Sequence, residues 1–171
     1  FDISLRGLRN QNELAQESSE IADFWNMLQG FQTSGKCIEN AHYRIRYMRS
    51  FRPLSSKEAI EFKEARPILY LNTAAVSSLF SSRSMNATAN RSNWSTVMSY
   101  LKSQQSFLGL KQDRFTILLP NGQPDYSVEF VNSQQVRKVR VNRPKALCFD
   151  YLQLKENFGL DLETEVVSEE L

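Results

Sequence analysis

The stretch Trp94-Ser95-Thr96-Val97-Met98-Ser99-Tyr100-Leu101-Lys102 places Trp94, Val97, Met98 and Leu101 at i, i+3, i+4 and i+7. That is the period of a helix with one buried stripe, and Ser92 stands where a cap is expected. Upstream, Pro67 opens the apolar run Ile68-Leu69-Tyr70-Leu71, which reads as a strand. Asn72 or Thr73 then caps a helix that buries Val76, Leu79 and Phe80. Between the two helices, residues 81–90 have loop composition. Downstream, Arg114 to Leu119 meets Pro120-Asn121-Gly122-Gln123-Pro124, where Asn-Gly supplies the positive φ angles of a tight reversal. Tyr126, Val128 and Phe130 are expected to face the core on the returning arm of this β-hairpin.

Working outward, Ile21, Phe24, Trp25, Leu28 and Phe31 give a helix that Gly35 stops, preceded by a polar segment in which Ser18 and Ser19 are candidate caps. Tyr43, Ile45 and Tyr47 alternate with Arg44 and Arg46, as in a half-buried strand with a basic outer face. Ser56 to Glu64 reads as a short polar helix. Val136, Val139 and Val141 form a further extended piece. Ala146 to Phe149 is an apolar strand, and Asp150 caps a last helix through Tyr151, Leu154 and Phe158.

Helix, short strand, two helices and hairpin is the order of a winged helix, in which the third helix enters a DNA groove. The expected fold is α+β, a winged-helix-like helical core with an elaborated β-hairpin wing. It covers residues 21–160, with a polar lead-in over 1–20 and an acidic tail over 161–171.

Charge is the most informative quantity in the chain. The 171 residues carry 21 Lys and Arg against 19 Asp and Glu, but the last eleven residues hold five acids and no base, which leaves the body at +7. No Asp or Glu occurs between Glu64 and Asp113. A second acid-free run, Asn132 to Leu147, holds Arg137, Lys138, Arg140, Arg143 and Lys145. Such a surface attracts polyanions. The helix at Trp94 turns Asn93, Ser95, Thr96, Ser99, Tyr100, Lys102 and Ser103 to solvent, residue types that bond phosphates and base edges. Candidate nucleic-acid contacts are therefore Arg91, Asn93, Thr96, Tyr100, Lys102, Arg137, Lys138, Arg140, Arg143 and Lys145. Five phosphate contacts would give a log–log salt slope of roughly −4.5.

The segments Arg66-Pro67-Ile68-Leu69-Tyr70-Leu71-Asn72, Trp94 to Ser103, Phe107-Leu108-Gly109 and Ala146-Leu147-Cys148-Phe149-Asp150-Tyr151 form a pattern that Asp23-Phe24-Trp25-Asn26 also fits. It resembles the C-terminal region of primase-helicase-like proteins carried by mobile elements of Bacteroidetes-type bacteria. The resemblance runs over roughly residues 21–158 and implies a winged-helix-type extension behind an ATPase core in a larger parent chain. The absence of an initiator Met fits an excised piece or a processed chain.

Several classes are set aside. No window approaches 18 consecutive apolar residues, so no membrane span is expected. Cys37 and Cys148 cannot build a disulfide scaffold, and with one histidine, His42, no Cys/His zinc site forms; two buried thiols in a reducing cytosol are the expectation, hence a cytoplasmic protein without cofactor. The sequons at Asn86, Asn90 and Asn93 are discounted, since Ser- and Asn-rich sequence produces them by chance and no export signal is visible. A phosphate-binding glycine loop is absent, His42 reads as structural, and Glu58, Glu61 and Glu64 read as a solvated face, so no enzyme is expected. Two functions remain. One is a DNA-binding accessory domain that positions a parent helicase or primase. The other is a protein-interaction or autoinhibitory module, whose aromatic first helix packs on the parent core while the acidic tail covers the basic face.

Overall fold

A computed structural model describes residues 2–82 and 93–162, with side chains from residue 15 onward. The elements run α1 (Asp2–Thr33), β1 (Tyr43–Phe51), β2 (Ile60–Asn72), α2 (Thr73–Ser81), α3 (Trp94–Lys102), β3 (Phe107–Gln112), β4 (Phe115–Thr116), β5 (Tyr126–Val131), β6 (Gln134–Val139), β7 (Val141–Asn142), β8 (Lys145–Asp150) and α4 (Tyr151–Phe158). The fold is α+β. Its centre is a four-stranded antiparallel sheet in the order β1-β2-β8-β3.

Strand alternation divides the sheet's side chains between two cores. On one face Tyr43, Leu69, Leu71, Leu147 and Phe149 meet Ile21, Phe24, Trp25 and Leu28 of α1, together with residues of α2, α3 and α4. Trp25 is fully buried, with its ring edge-on to Phe149 (centroids 5.1 Å apart) and to Phe24 (4.9 Å). Trp94 lies 5.4 Å from Phe80 and 5.9 Å from Phe24, which fastens α3 onto α2 and α1. Fully burying each such side chain contributes roughly 1.5–3 kcal/mol. On the other face Phe51, Ile68, Tyr70, Ala146 and Cys148 enclose Phe115. The far end of the β1–β2 hairpin curls toward β3, where the Leu54 N–H donates to the Leu110 carbonyl (2.9 Å).

Several expectations are corrected. Residues 56–64 form no helix: β2 starts at Ile60, with Ile60 and Glu61 opposite Phe51 and Ser50. Its good helix formers lack an apolar stripe of period 3.6, so pairing with β1 decides the conformation. Pro67 lies inside this strand, one residue beyond the β2–β8 ladder that begins at Ile68, where a missing N–H is tolerated. The expected polar lead-in is helical from Asp2 and continuous with the rest of α1, so Ser18 and Ser19 lie within the helix rather than at its start. The expected tail boundary also moves. Leu162 is fully buried, its N–H donates to Tyr151 Oη and its carbonyl accepts from Tyr43 Oη (2.8 Å). Residues 163–171 lie outside the described residues.

Other local readings hold. Asn72 caps α2, Gly35 follows α1 at φ +82°, and Cys37 and Cys148 are buried thiols. Asp150 occupies the N-cap position of α4, but its carboxylate binds Arg66 Nε (2.7 Å) instead of a helix N–H.

Candidate nucleic-acid interface

The candidate contacts from the two acid-depleted stretches occupy three settings: the face of α3, a depression beside β3, and a projecting arm. Arg91 lies outside the described residues. Asn93, not Ser92, caps α3: its Oδ1 accepts from the Thr96 N–H at 2.9 Å, so half of its amide is committed to the helix. Thr96 is half-buried, and Tyr100 is half-buried against the main core. The solvent face of α3 is thereby narrower than its periodicity suggests, consisting of Asn93, Ser95, Ser99, Lys102 and Ser103. A carboxylate also enters it from elsewhere, because Ser103 Oγ donates to Glu17 of α1 at 2.6 Å.

Lys102 and Lys145 do come together. With Leu54, Ser55, Phe107, Gly109 and Leu110 they line a shallow depression of about 370 Å³ beside the edge strand β3. Residues from the two stretches, 43 positions apart in the chain, thus share one site.

The remaining cations belong to an arm. Its base is the β4–β7 pair, anchored by the buried Phe115, with Ile117 N–H donating to the Arg140 carbonyl and Arg140 N–H to that of Asp125. Beyond the base, β5 and β6 pair only with each other. The expected reversal at Asn121-Gly122 is present, with Leu119 N–H donating to the Gln123 carbonyl, but the regular ladder closes at a second turn. There Asn132 (φ 53°) and Ser133 (φ 67°) form a two-residue loop with the positive φ pair of a type I′ turn.

The ladder register sorts the arm into two faces. Tyr126, Val128 and Phe130 stand opposite Val139, Arg137 and Gln135; Ser127, Glu129 and Val131 stand opposite Lys138, Val136 and Gln134. Arg137 and Lys138 are neighbours in sequence but project from opposite faces. Arg137 lies with its guanidinium carbon 4.1 Å from the Tyr126 ring centroid, a cation–π contact. Arg140 pairs with Asp125 at 3.4 Å, and Arg143 is exposed.

The expectation that Tyr126, Val128 and Phe130 face the core is overturned. They are 41%, 53% and 75% exposed, because among the described residues β5 and β6 pair only with each other and no core cluster takes in this face. Sequence reasoning thus missed the two aromatic residues of the arm as site residues. Their only signal was position: they precede by a short turn the strand that carries Arg137 and Lys138.

On the central sheet, three arginines are paired with carboxylates, Arg66 with Asp150 as described. Arg46 grips Asp113 through two bonds (2.7 and 2.9 Å), and Arg44 lies 3.6 Å from the same carboxylate. His42 is buried, with Nδ1 accepting from the Ile38 N–H, and burial lowers its pKa. Burial likewise pushes the Cys37 thiol up to about 12. Among the described residues no three of His, Cys, Asp and Glu gather as metal ligands, and no helix is long and apolar enough to cross a membrane. No family model, no curated protein and no solved structure matches the chain.

Proposed function

We propose that this chain is a DNA-binding accessory domain that positions a larger replication protein, of the mobile-element primase-helicase kind, on its template. The β5–β6 arm acts as an elaborated wing, and α3 flanks it through Lys102 in a winged-helix-like arrangement. One observation carries the reading: a projecting two-stranded arm holds Arg137 and Lys138 with Glu129 as the only acid within its ladder, while Arg140 at its base pairs with Asp125. Cations on an exposed ribbon reach phosphates without the desolvation cost of a buried site. The protein acts by binding. His42, whose Nδ1 is occupied, offers no free general base there.

The alternative is a protein-interaction or autoinhibitory module; its acidic-tail contact falls on residues 163–171, outside the described residues, and its docking surface on the first helix is less available. Ile21, Phe24, Trp25 and Leu28 are already covered by the chain's own sheet.

The test is fluorescence anisotropy of a labelled oligonucleotide across a salt series, comparing the chain with a triple R137E/K138E/R143E variant. The expected result is a large loss of affinity and a salt slope shallower by roughly 2.7, from three lost phosphate contacts. Equal affinity and slope would refute the proposal.

A further inference from the structure

We infer that one face of the β5–β6 arm is a stacking platform for unpaired bases, so that the nucleic acid it prefers is single-stranded; this rests on the nucleic-acid reading above and makes it specific. Phe130 is 75% exposed, the most exposed of the large apolar side chains described. A large hydrophobic side chain left in water, on a strand that no element among the described residues covers, marks an interaction surface. The residues around it identify the partner's chemistry.

On the same face are Tyr126, Val128, Gln135, Arg137 and Val139, with no carboxylate; Glu129, the ladder's one acid, projects from the other. A protein partner that buried Phe130 would also have to desolvate Arg137 beside it. A nucleic-acid strand satisfies both groups at once, with a base on the ring and phosphates near the cation. Arg137, its guanidinium carbon 4.1 Å from the Tyr126 ring centroid, adds a second planar group to this face, and a guanidinium can itself stack on a base. Tyr126 and Phe130 are four residues apart on one strand, hence about 13 Å. That equals about four rises of a stacked strand.

Paired bases inside a duplex present no free face to a ring, and only an unpaired strand can lay bases on Phe130 without first being unstacked. The register supports this use. Phe130 stands next to the turn, at the tip of the arm and clear of the folded body.

The experiment uses the full chain and three labelled ligands of equal length: oligothymidylate, an abasic strand with the same phosphates, and a duplex. Oligothymidylate should bind most tightly. Phe130→Ala should lose about tenfold or more on oligothymidylate, with no change on the abasic strand and the same salt slope. Phe130→Trp should keep the affinity and show quenched tryptophan emission on binding, whereas Phe130→Leu, apolar but without a π face, should behave as Phe130→Ala. Because Phe130 touches no core, a circular dichroism spectrum matching wild type confirms that the variants fold.

If the wild-type chain binds with steep salt dependence and Phe130→Ala binds oligothymidylate equally well, stacking is overturned while the cationic arm stands. Failure to bind any of the three ligands overturns the nucleic-acid reading and the platform together. Duplex binding that is the tightest and depends on Phe130 overturns the single-strand preference in favour of a wedge between base pairs.

Discussion

Replacing Gly109 by alanine tests how the β1–β2 hairpin closes over the sheet. Gly109 has φ +137°, a conformation that L side chains rarely adopt, and an added Cβ would lie 2.6 Å from Pro53 Cβ and 3.1 Å from its Cγ. Carbon atoms pack at about 3.5–4.0 Å, so β3 and the Pro53 segment must separate by about 1 Å. The proline ring cannot swing aside as a flexible chain would. A displacement of that size also stretches the bond from Leu54 N–H to the Leu110 carbonyl beyond hydrogen-bonding range. Backbone strain of about 1–3 kcal/mol, overpacking of similar size and a lost hydrogen bond of about 1 kcal/mol together give a loss of about 4 kcal/mol. Urea unfolding followed by circular dichroism measures it. Pro53→Gly removes both clashing atoms, so in that background Gly109→Ala should cost about 2 kcal/mol less, as a double-mutant cycle reports. A loss below about 1 kcal/mol, or a cycle with zero coupling, would refute the reasoning. Because Leu54 and Gly109 also line the depression shared by Lys102 and Lys145, the variant should disturb that cationic site as well.

Three further outcomes follow from the structure. Burial lowers the pKa of His42 below 6.5, so the unfolded chain takes up its proton first as the pH falls. Its contribution to stability is therefore complete above pH 6.5 and is lost progressively below it, down to the folded-state pKa, and His42→Asn should flatten that part of a pH–stability profile. Asp113→Ala should cost about 2 kcal/mol at low salt by thermal unfolding, since it frees two part-exposed arginines and the Arg114 N–H from a buried acceptor. A chain ending at Leu160 should be less stable by about 3 kcal/mol in urea unfolding than one ending at Leu162, through loss of a buried leucine and its main-chain bonds.

The main core and three of the four sheet strands (Tyr43–Tyr47 of β1, Ile68–Leu71 of β2, Ala146–Phe149 of β8) were legible in the sequence, whereas β3 and the outer half of β2 were not. Phe24, Trp25, Val97, Leu101 and Tyr151 were readable because a helix with one dry face repeats its apolar residues at a fixed period. Residues 56–64 misled because Lys, Glu and Ala favour helix locally, whereas the partner that makes them a strand lies on the preceding strand at Ser50 and Phe51. Nothing in a local window carries that pairing. The same applies to Asp113 and Asp150, whose arginine partners lie 67 and 84 residues away.

The candidate site was half visible for a related reason. Clustered cations without acids are a property of composition, so Arg137, Lys138 and Lys145 could be named from the chain alone. Period-two alternation of Tyr126, Val128 and Phe130 has two solutions, a strand with one face on a core or an arm with both faces in water. Which one occurs depends on whether another element lies over the apolar face, and among the described residues Tyr126, Val128 and Phe130 stay exposed. A lone hairpin is marginal in water, so this arm is held by its anchor at Phe115, the turn at Asn132-Ser133 and the contact between Arg137 and Tyr126. Two of these supports are local to the arm and make no use of Phe130. The exposed ring is therefore not among the supports of the arm, which is why Phe130→Ala should leave the fold intact.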